Sequence, residues 1–226
     1  MVEVIRQKKG FGNASRGYRK VSRPKEFGPS KKKPGRKNFG WVKRKKGDNN
    51  QGRRVFASRG GGHKRRYRKI DFKQDKKIQG KIVSLEHDPN RSAYISQVNY
   101  SDGAKKFVLA AEGFKKGMAL PQTVQIADIP VGSFVYNVEI RPGKGAQLVR
   151  SAGVFAKLIS HEGKYASIRL PSKKVIKILT NCTANIGQVS NKEHALSKLG
   201  KAGRNRWLGN RPVARKKRAK FRSSRM

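Results

Sequence analysis

Short stretches of alternating apolar and polar residues occupy the middle of the chain, roughly from residue 80 to residue 180. The run KIVSLEHD leads into a turn at Asp88–Asn90, SAYISQVNY leads into a turn at Ser101–Gly103, and KKFVLAA follows. Alternation over five to eight residues is typical of half-buried strands, and Asp, Pro, Asn and Gly between such runs predict tight turns. We therefore expect three successive strands joined by short turns.

The clearest alternation covers residues 134–140. It predicts one face made of Phe134, Tyr136, Val138 and Ile140 and an opposite face made of Val135, Asn137 and Glu139. The turn RPGKG follows, and then three more strand-like runs, VFAKLIS, KYASIRL and KKVIKILTN. Short strands with a turn about every ten residues favour small barrels over a parallel sheet. Because a Gly- and Pro-containing break lies around Gly113–Pro130, we expect an all-β fold of two small barrels in tandem.

Only one segment has a helix-like pattern. SNKEHALSKLG offers Ser190 or Asn191 as N-cap, Glu193 in the first turn and Gly200 as C-cap, which are the residue types these positions prefer. We expect a short helix here. No helix-length apolar period separates the strands, and this argues against βαβ units.

Charge divides the chain into a moderately basic middle and two strongly basic arms. Residues 1–69 hold 25 Lys and Arg against 3 Asp and Glu, and residues 191–226 hold 13 against 1. The first arm has no sustained period. A disordered tail and an arm that orders on RNA both fit this composition, and isolated aromatic residues available for stacking favour the second. We expect an extended arm at 1–69, barrels at 70–130 and 131–190, and a helix with a basic tail at 191–226.

The net charge of +43 on 226 residues calls for a polyanionic partner, because so basic a protein repels itself. Apolar runs such as FVLAA are far shorter than the ~18 residues of a spanning helix. The start, MVEVIRQKKG, has no apolar core for a secretory signal, although its basic character leaves organelle targeting open. A single cysteine, Cys182, excludes an internal disulfide. Nucleic acid is therefore the expected partner, ahead of a membrane surface.

Residues that could support catalysis do not form a recognisable pattern. Four histidines are spread along the chain without metal-ligand spacing: His63, His87, His161 and His194. No carboxylate pair flanks a nucleophile, GKG at 143–145 lacks the spacing of a phosphate-binding loop, and no dinucleotide fingerprint is present. The sequence predicts a protein that is not an enzyme and that uses neither cofactor nor metal.

Three segments have the composition of a nucleic-acid contact. RGGGHKRRYRK at 59–69 combines glycines that let a backbone approach phosphates with forked arginine donors, although a sticky linker has the same composition. RPGKG at 141–145 is a basic turn, and a plain hairpin loop explains it equally well. Residues 200–226 hold 11 Lys and Arg, no acid, and Trp207 without periodic apolar partners; a solvated tail is the alternative.

Four long motifs, in sequence order, resemble one family. They are RGGGHKRRYRKIDFK, LEHDPNRSAYISQVNYSDGAKKFVLA, IPVGSFVYNVEIRPGKGAQLVRSAG and KLGKAGRNRWLGNRPVAR. The chain is similar to the universal ribosomal protein L2 family of the large subunit, in its bacterial-type form. The resemblance implies an OB-fold barrel followed by an SH3-like barrel, with basic arms that enter ribosomal RNA. It also implies other large-subunit proteins as partners, and roles in subunit assembly, subunit association and the RNA architecture around the peptidyl-transferase centre.

The family's motifs, matched position by position, indicate which residues contact rRNA. In the loop before the first barrel they are Arg59, Gly60, Gly61, Gly62, His63, Lys64, Arg65, Arg66 and Arg68. In the turn and strand that open the second barrel they are Pro142, Gly143, Lys144, Gly145 and Arg150. At the start of the C-terminal extension they are Lys201, Arg204, Arg206, Trp207 and Arg211. The resemblance implies no catalytic and no metal-binding residue.

One departure from the family concerns its C-terminal extension. After RPVAR the family continues into a His- and Gly-rich loop near the catalytic RNA, whereas this sequence continues with KKRAKFRSSRM. None of the four histidines matches that loop by motif. Since organellar ribosomes sometimes divide a family member into two polypeptides, we expect a separate chain to supply the loop, on a mitochondrial ribosome in the mitochondrial matrix. A plastid ribosome or the bacterial cytoplasm is the alternative setting.

Overall fold

The computed structural model describes residues 39–41, 47–53, 55–56, 58–60, 65–76, 78–196 and 202–210. These residues belong to two compact units. The larger unit consists mainly of Tyr67–Leu196, and the smaller unit contains the described residues of Trp41–Arg66 and of Ser197–Met226. Most of the predicted arm at 1–69 and most of the predicted tail at 191–226 lie outside the described residues.

Strands dominate the described secondary structure. In chain order they are β1 (Phe39–Trp41), β2 (Arg66–Arg68), β3 (Gly80–His87), β4 (Tyr94–Tyr100), β5 (Lys105–Leu109), β6 (Val124–Gln125), β7 (Phe134–Tyr136), β8 (Val138–Glu139), β9 (Ala146–Leu148), β10 (Ala156–Glu162), β11 (Tyr165–Arg169), β12 (Val175–Leu179) and β13 (Thr183–Ile186). The described helices are two 3-10 helices, Ile126–Asp128 and Lys192–Leu196, and one α-helix, α1 (Ala202–Trp207). The prediction of an all-β fold with a short helix is confirmed, and the α-helix, α1, begins after the segment for which the helix was predicted.

The first three predicted strands form an antiparallel sheet in the order β3-β4-β5. An aspartate organises each of its turns: the Asp88 carboxylate accepts the N–H of Asn90 at 2.9 Å, and the Asp102 carboxylate accepts the N–H of Ala104 at 3.0 Å. Asp side chains favour turns because they bond the backbone two residues further on. The central strand β4 has buried residues on both of its faces, so this small sheet is covered on both sides.

A second sheet has the order β12-β11-β10-β7-β13-β6, and all its pairings are antiparallel. Two further sheets each contain two strands, β8 with β9 and β1 with β2. Side chains from the first and second sheets share one apolar core. Its members include Ile82, Val98, Leu109, Val135, Leu158, Ile168 and Val189. Burial of this shared core is the main force that fixes the two sheets within one unit.

The strand predicted at 134–140 is interrupted, and its two predicted faces were wrong. Asn137 has a φ of 55°, so the chain leaves the extended conformation between β7 and β8. A single irregular residue in a strand reverses the alternation of the side chains that follow it. The side chains after Asn137 therefore do not lie on the faces that the sequence pattern predicted. Phe134 and Ile140 are exposed, whereas Asn137 and Glu139 are buried. Asparagine suits this position because it tolerates a left-handed backbone better than most residues.

The helix predicted from SNKEHALSKLG forms only in part. Lys192–Leu196 is a 3-10 helix rather than an α-helix, and residues 197–200 lie outside the described residues. Both predicted N-cap side chains are engaged elsewhere: Ser190 Oγ accepts the N–H of Tyr94 at 3.1 Å, and Asn191 Nδ2 donates to a backbone carbonyl at 2.7 Å. The φ of Asn191 is 64°, not the extended value usual at an N-cap. Without a cap, a full α-helical turn is not favoured here.

Candidate nucleic-acid interface

The residues predicted to contact RNA fall into two groups, one in each unit. Those of the larger unit are Arg68, Pro142, Gly143, Lys144, Gly145 and Arg150. Those of the smaller unit are Arg59, Gly60, Arg65, Arg66, Arg204, Arg206 and Trp207. The remaining predicted residues lie outside the described part of the chain: Gly61, Gly62, His63, Lys64, Lys201 and Arg211.

One aromatic ring of the larger unit lies close to two arginine side chains. The guanidinium carbon of Arg150 is 4.7 Å from the centre of the Phe72 ring, and that of Arg91 is 5.7 Å from it. Both distances fall within the ~6 Å reach of cation–π attraction. Arg150 also donates a hydrogen bond to the carbonyl of Ala146 at 3.3 Å. The Phe72 ring therefore helps to hold two cations near each other, although their charges repel.

A buried carboxylate connects this pair to Arg68. The Asp88 side chain is 0% exposed and accepts a hydrogen bond from Arg91 Nε at 2.7 Å. Arg68 Nη1 lies 3.6 Å from the other Asp88 oxygen. The desolvation of a buried carboxylate is costly unless cations and hydrogen bonds offset it, and both are present here. We call this group the arginine cluster; it consists of Arg68, Phe72, Asp88, Arg91 and Arg150.

Asp71 stabilises the chain segment that carries Phe72. Its carboxylate accepts the N–H groups of Lys73 and Gln74 at 3.2 and 3.1 Å and pairs with Lys106 Nζ at 2.5 Å. Burial by itself would raise the pKa of Asp71, but the hydrogen bonds from Lys106, Gln74 and Lys73 and the Lys106 charge outweigh it, so the pKa lies below its ordinary 3.8. The carboxylate is therefore ionised at neutral pH and keeps this loop in place.

Buried Glu139 holds the predicted turn Arg141–Gly145. One Glu139 oxygen accepts the N–H of Gly145 at 2.6 Å, and the other accepts the N–H and the hydroxyl of Thr183 at 3.1 and 3.0 Å. Glu139 is only 3% exposed. Hydrogen bonds to a buried carboxylate are stronger than those between neutral groups. Glu139 thus ties the basic turn to β13 without presenting negative charge at the surface.

The two turn glycines Gly143 and Gly145 have different surroundings. Both have a positive φ, 77° and 80°, which favours glycine. At Gly145 a Cβ atom would lie 3.0 Å from a side-chain carbon of Lys73 and 3.2 Å from the carbonyl oxygen of Phe72. The turn is therefore packed against the segment that carries the arginine cluster. A Cβ atom at Gly143 would meet no described atom within 4 Å, so the backbone there is open to a ligand.

In the smaller unit, two of the predicted segments come together. Arg59 forms a β-bridge with Asn210, and its guanidinium donates to the Asn210 side-chain oxygen. The N–H of Gly60 donates to the carbonyl of Gly209 at 3.1 Å. These partners follow α1, which carries Arg204, Arg206 and Trp207. The Trp207 side chain is 62% exposed, so a large ring beside basic residues remains accessible for stacking.

Other chemistry is limited within the described part of the chain. No group of three or more His, Cys, Asp or Glu side chains there is arranged to hold a metal ion. Burial, together with the nearby Glu139 charge, raises the pKa of Cys182 to about 11, which leaves its thiol protonated and unreactive at neutral pH. Among the described helices, none has the length and the apolar composition needed to cross a bilayer.

Two family models match this sequence. Residues 36–121 match the model described as Ribosomal Proteins L2, RNA binding N-terminal domain, and residues 119–220 match Ribosomal Proteins L2, C-terminal domain. Together with the all-β fold and the arginine-rich surface, these matches define an RNA-binding protein of the large ribosomal subunit, with rRNA and ribosomal proteins as partners. The chain belongs to the ribosomal protein L2 family. The predicted resemblance is confirmed, and so is the fold, an OB-fold barrel followed by an SH3-like barrel.

Sequence reasoning missed four residues that organise the site: Phe72, Asp88, Arg91 and Glu139. A signal for two of them was present, since DPNRS places an arginine three residues after a turn-forming aspartate, and the pair forms an i,i+3 ion pair. Phe72 and Glu139 gave no local signal. Their roles depend on partners far along the chain, such as Arg150 for Phe72 and Thr183 for Glu139.

Proposed function

We propose that this protein is a structural constituent of the large subunit that supports subunit assembly, subunit association and the RNA architecture around the peptidyl-transferase centre. In this proposal it performs no catalysis of its own. The family membership supports the ribosomal setting, and the basic segments at 59–68, 141–150 and 202–207 supply the rRNA contacts. The residues predicted above remain the proposed contact residues, and we add Arg91 to them.

The observation that carries this proposal is the fixed arrangement of Arg91 and Arg150 on Phe72. Guanidinium groups match phosphate oxygens with two donors each. Because Phe72 and Asp88 already restrict these side chains, less conformational entropy is lost when they bind RNA. Contacts of this kind position a protein on the RNA backbone rather than read its sequence. Such a platform suits a protein that holds rRNA in a defined shape.

A native extract separated on a density gradient at moderate salt tests the proposal. We expect the chain to travel with the large subunit, and ultraviolet crosslinking of that fraction to attach rRNA nucleotides to peptides with Arg91, Arg150 or Trp207. A chain that travels free of ribosomes, or with DNA, would instead indicate a free nucleic-acid-binding module. The high net charge alone would permit that second function.

Three finer statements remain predictions. They are the mitochondrial setting, the separate chain with a His- and Gly-rich loop, and the segment boundaries at residues 69, 130 and 190. Mass spectrometry of the same gradient fraction tests the first two, because it identifies both the accompanying ribosomal proteins and any small partner with that loop. Limited proteolysis of the free protein tests the boundaries, since cleavage is expected to concentrate at them.

A further inference from the structure

A cleft of about 220 Å³ lies between the first and second sheets of the larger unit. The most buried residues of its lining are Tyr100, Glu139 and Gln74, which are 4%, 3% and 8% exposed. The rest of the lining comes mainly from the segments on either side of the cleft, Lys73–Lys76 and Leu120–Thr123, and from Gln125, Gly143 and Thr183. Gly143 belongs to the basic turn described above, so this turn borders the cleft.

The lining suits a small flat ring with a polar edge. Leu120, Pro121 and Ile78 provide the accessible apolar surface, because the Tyr100 ring is 4% exposed and has Lys76 Nζ 5.6 Å from its centre. Gln125 and Thr123 provide amide and hydroxyl groups. Unpaired RNA bases are bound in this way, with their faces against rings or apolar groups and their edges hydrogen-bonded. The volume is below the roughly 300 Å³ at which pockets for drug-sized ligands begin. The cleft therefore fits one ring system rather than a larger ligand.

Charge at the cleft favours a phosphate-bearing ligand. Lys73 and Lys76 are part of the lining, and Lys76 pairs with Asp102. Arg141 and Lys144 of the turn that borders the cleft are exposed and add positive charge beside it. Both oxygens of Glu139 are already engaged by Gly145 and Thr183. The remaining carboxylate of the lining is Asp75, which is exposed to solvent. Salt therefore weakens its repulsion of a phosphate group.

We infer that this cleft takes a single unpaired nucleobase of the bound RNA. The inference rests on the proposed rRNA-binding function, because the turn Arg141–Gly145 that borders the cleft is part of the proposed contact surface. An RNA strand lying across the open backbone at Gly143 passes the mouth of the cleft. A base turned out from that strand enters it, and its phosphate lies within reach of Lys73 and of the basic turn.

Ultraviolet crosslinking at 254 nm of native large subunits, followed by mass spectrometry, tests this inference. The expected result is a nucleotide attached at Tyr100 or Gln125, still joined to an oligonucleotide after partial nuclease digestion. Fragment spectra must assign the attachment to a residue, because the tryptic peptide with Gln125 spans residues 117–144 and includes the basic turn. A lone mononucleotide at these residues would assign the cleft to free nucleotides and overturn the inference. So would crosslinks confined to the arginine-rich peptides, which would leave the proposed function intact. Absence of the chain from large subunits would overturn both proposals.

Two matched variants test the cleft without changing charge. Gln125→Trp fills it, and Val175→Trp places the same residue at an exposed position of β12 that does not line it and lies outside the proposed rRNA-contact segments. With RNA extracted from the large subunits as probe, we expect about tenfold weaker binding for Gln125→Trp and a change within about twofold for the control. Circular dichroism verifies that both variants fold. Equal affinities for the two variants would overturn the inference.

Discussion

Carboxylates serve different purposes in two regions of the larger unit. Around the arginine cluster and the turn Arg141–Gly145, Asp88 and Glu139 are buried, and each organises a basic loop. In the outer hairpins β10–β12, Glu162 has a half-exposed side chain that pairs with Lys177 and accepts hydrogen bonds from two serines. The comparison indicates that the buried carboxylates fix the conformation of basic loops, whereas the exposed carboxylate forms an ion pair and hydrogen bonds at the surface. A protein with 13 acidic residues against 56 basic ones places some of its few carboxylates where they fix structure.

Removal of the Asp88 carboxylate is expected to have the largest effect. Asp88→Ala should lower the free energy of unfolding by about 4 kcal/mol, because Arg68 and Arg91 lose a buried partner. Urea denaturation followed by circular dichroism measures this change. Asp102→Ala is the matched control, since Asp102 occupies the other turn of the same sheet but is more exposed. Equal losses for both variants would contradict the distinction between buried and exposed carboxylates.

Removal of the Glu139 carboxylate should have the next largest effect. Glu139→Ala leaves the N–H of Gly145 and both donors of Thr183 without this acceptor, and should lower the free energy of unfolding by about 3 kcal/mol. Glu139→Gln keeps one carbonyl acceptor and should lose less. The same urea experiment measures both. If Gln is as damaging as Ala, the negative charge rather than the hydrogen bonds is the stabilising feature.

Loss of an arginine from the arginine cluster should weaken RNA binding more than loss of an arginine from the outer hairpins. Arg150→Ala should weaken binding to large-subunit rRNA about tenfold and reduce the slope of log affinity against log salt by about 1. Arg169→Ala, an exposed arginine of β11, is the control and should change affinity much less. Filter binding over a range of salt concentrations measures both. Identical losses would mean that total charge alone determines binding.

Asp71→Asn tests the pH dependence that this region should have. The folded-state pKa of Asp71 lies below its ordinary 3.8, so its contribution to stability is present above that value and is lost as pH falls through the lower, folded pKa. The difference in unfolding free energy between wild type and variant should therefore be full near pH 6 and shrink below about pH 4. Urea denaturation at several pH values measures it. A difference that grows on acidification would contradict this assignment.

The smallest effect is expected for Glu162→Ala in the outer hairpins. The pair with Lys177 lies in solvent, where ion pairs contribute little to stability and salt weakens them further. Thermal melts at low and high salt should therefore differ little between wild type and variant. A loss comparable to that of Glu139→Ala would remove the contrast between the two regions.

Much of the fold could be predicted from local pattern alone. The alternation in β3, β4 and β5 and the Asp-containing turns identified the first sheet, because these signals act between neighbours in sequence. Prediction failed at Asn137, where one left-handed residue reverses the faces of the strand, and at Ser190 and Asn191, whose side chains bond distant backbone groups rather than cap a helix. Each failure has a tertiary cause.

The sequence by itself determined the charge, the strand-rich middle, the basic turns and the family to which the chain belongs. Only the tertiary structure decided which of these groups meet. Phe72 lies near Arg91 and Arg150, and Asp88 lies between Arg68 and Arg91. Glu139 accepts a hydrogen bond from the turn Arg141–Gly145. The physical reason is that composition and local alternation depend on adjacent residues. Burial and ion pairing instead depend on groups that are far apart in sequence and meet only in the folded chain.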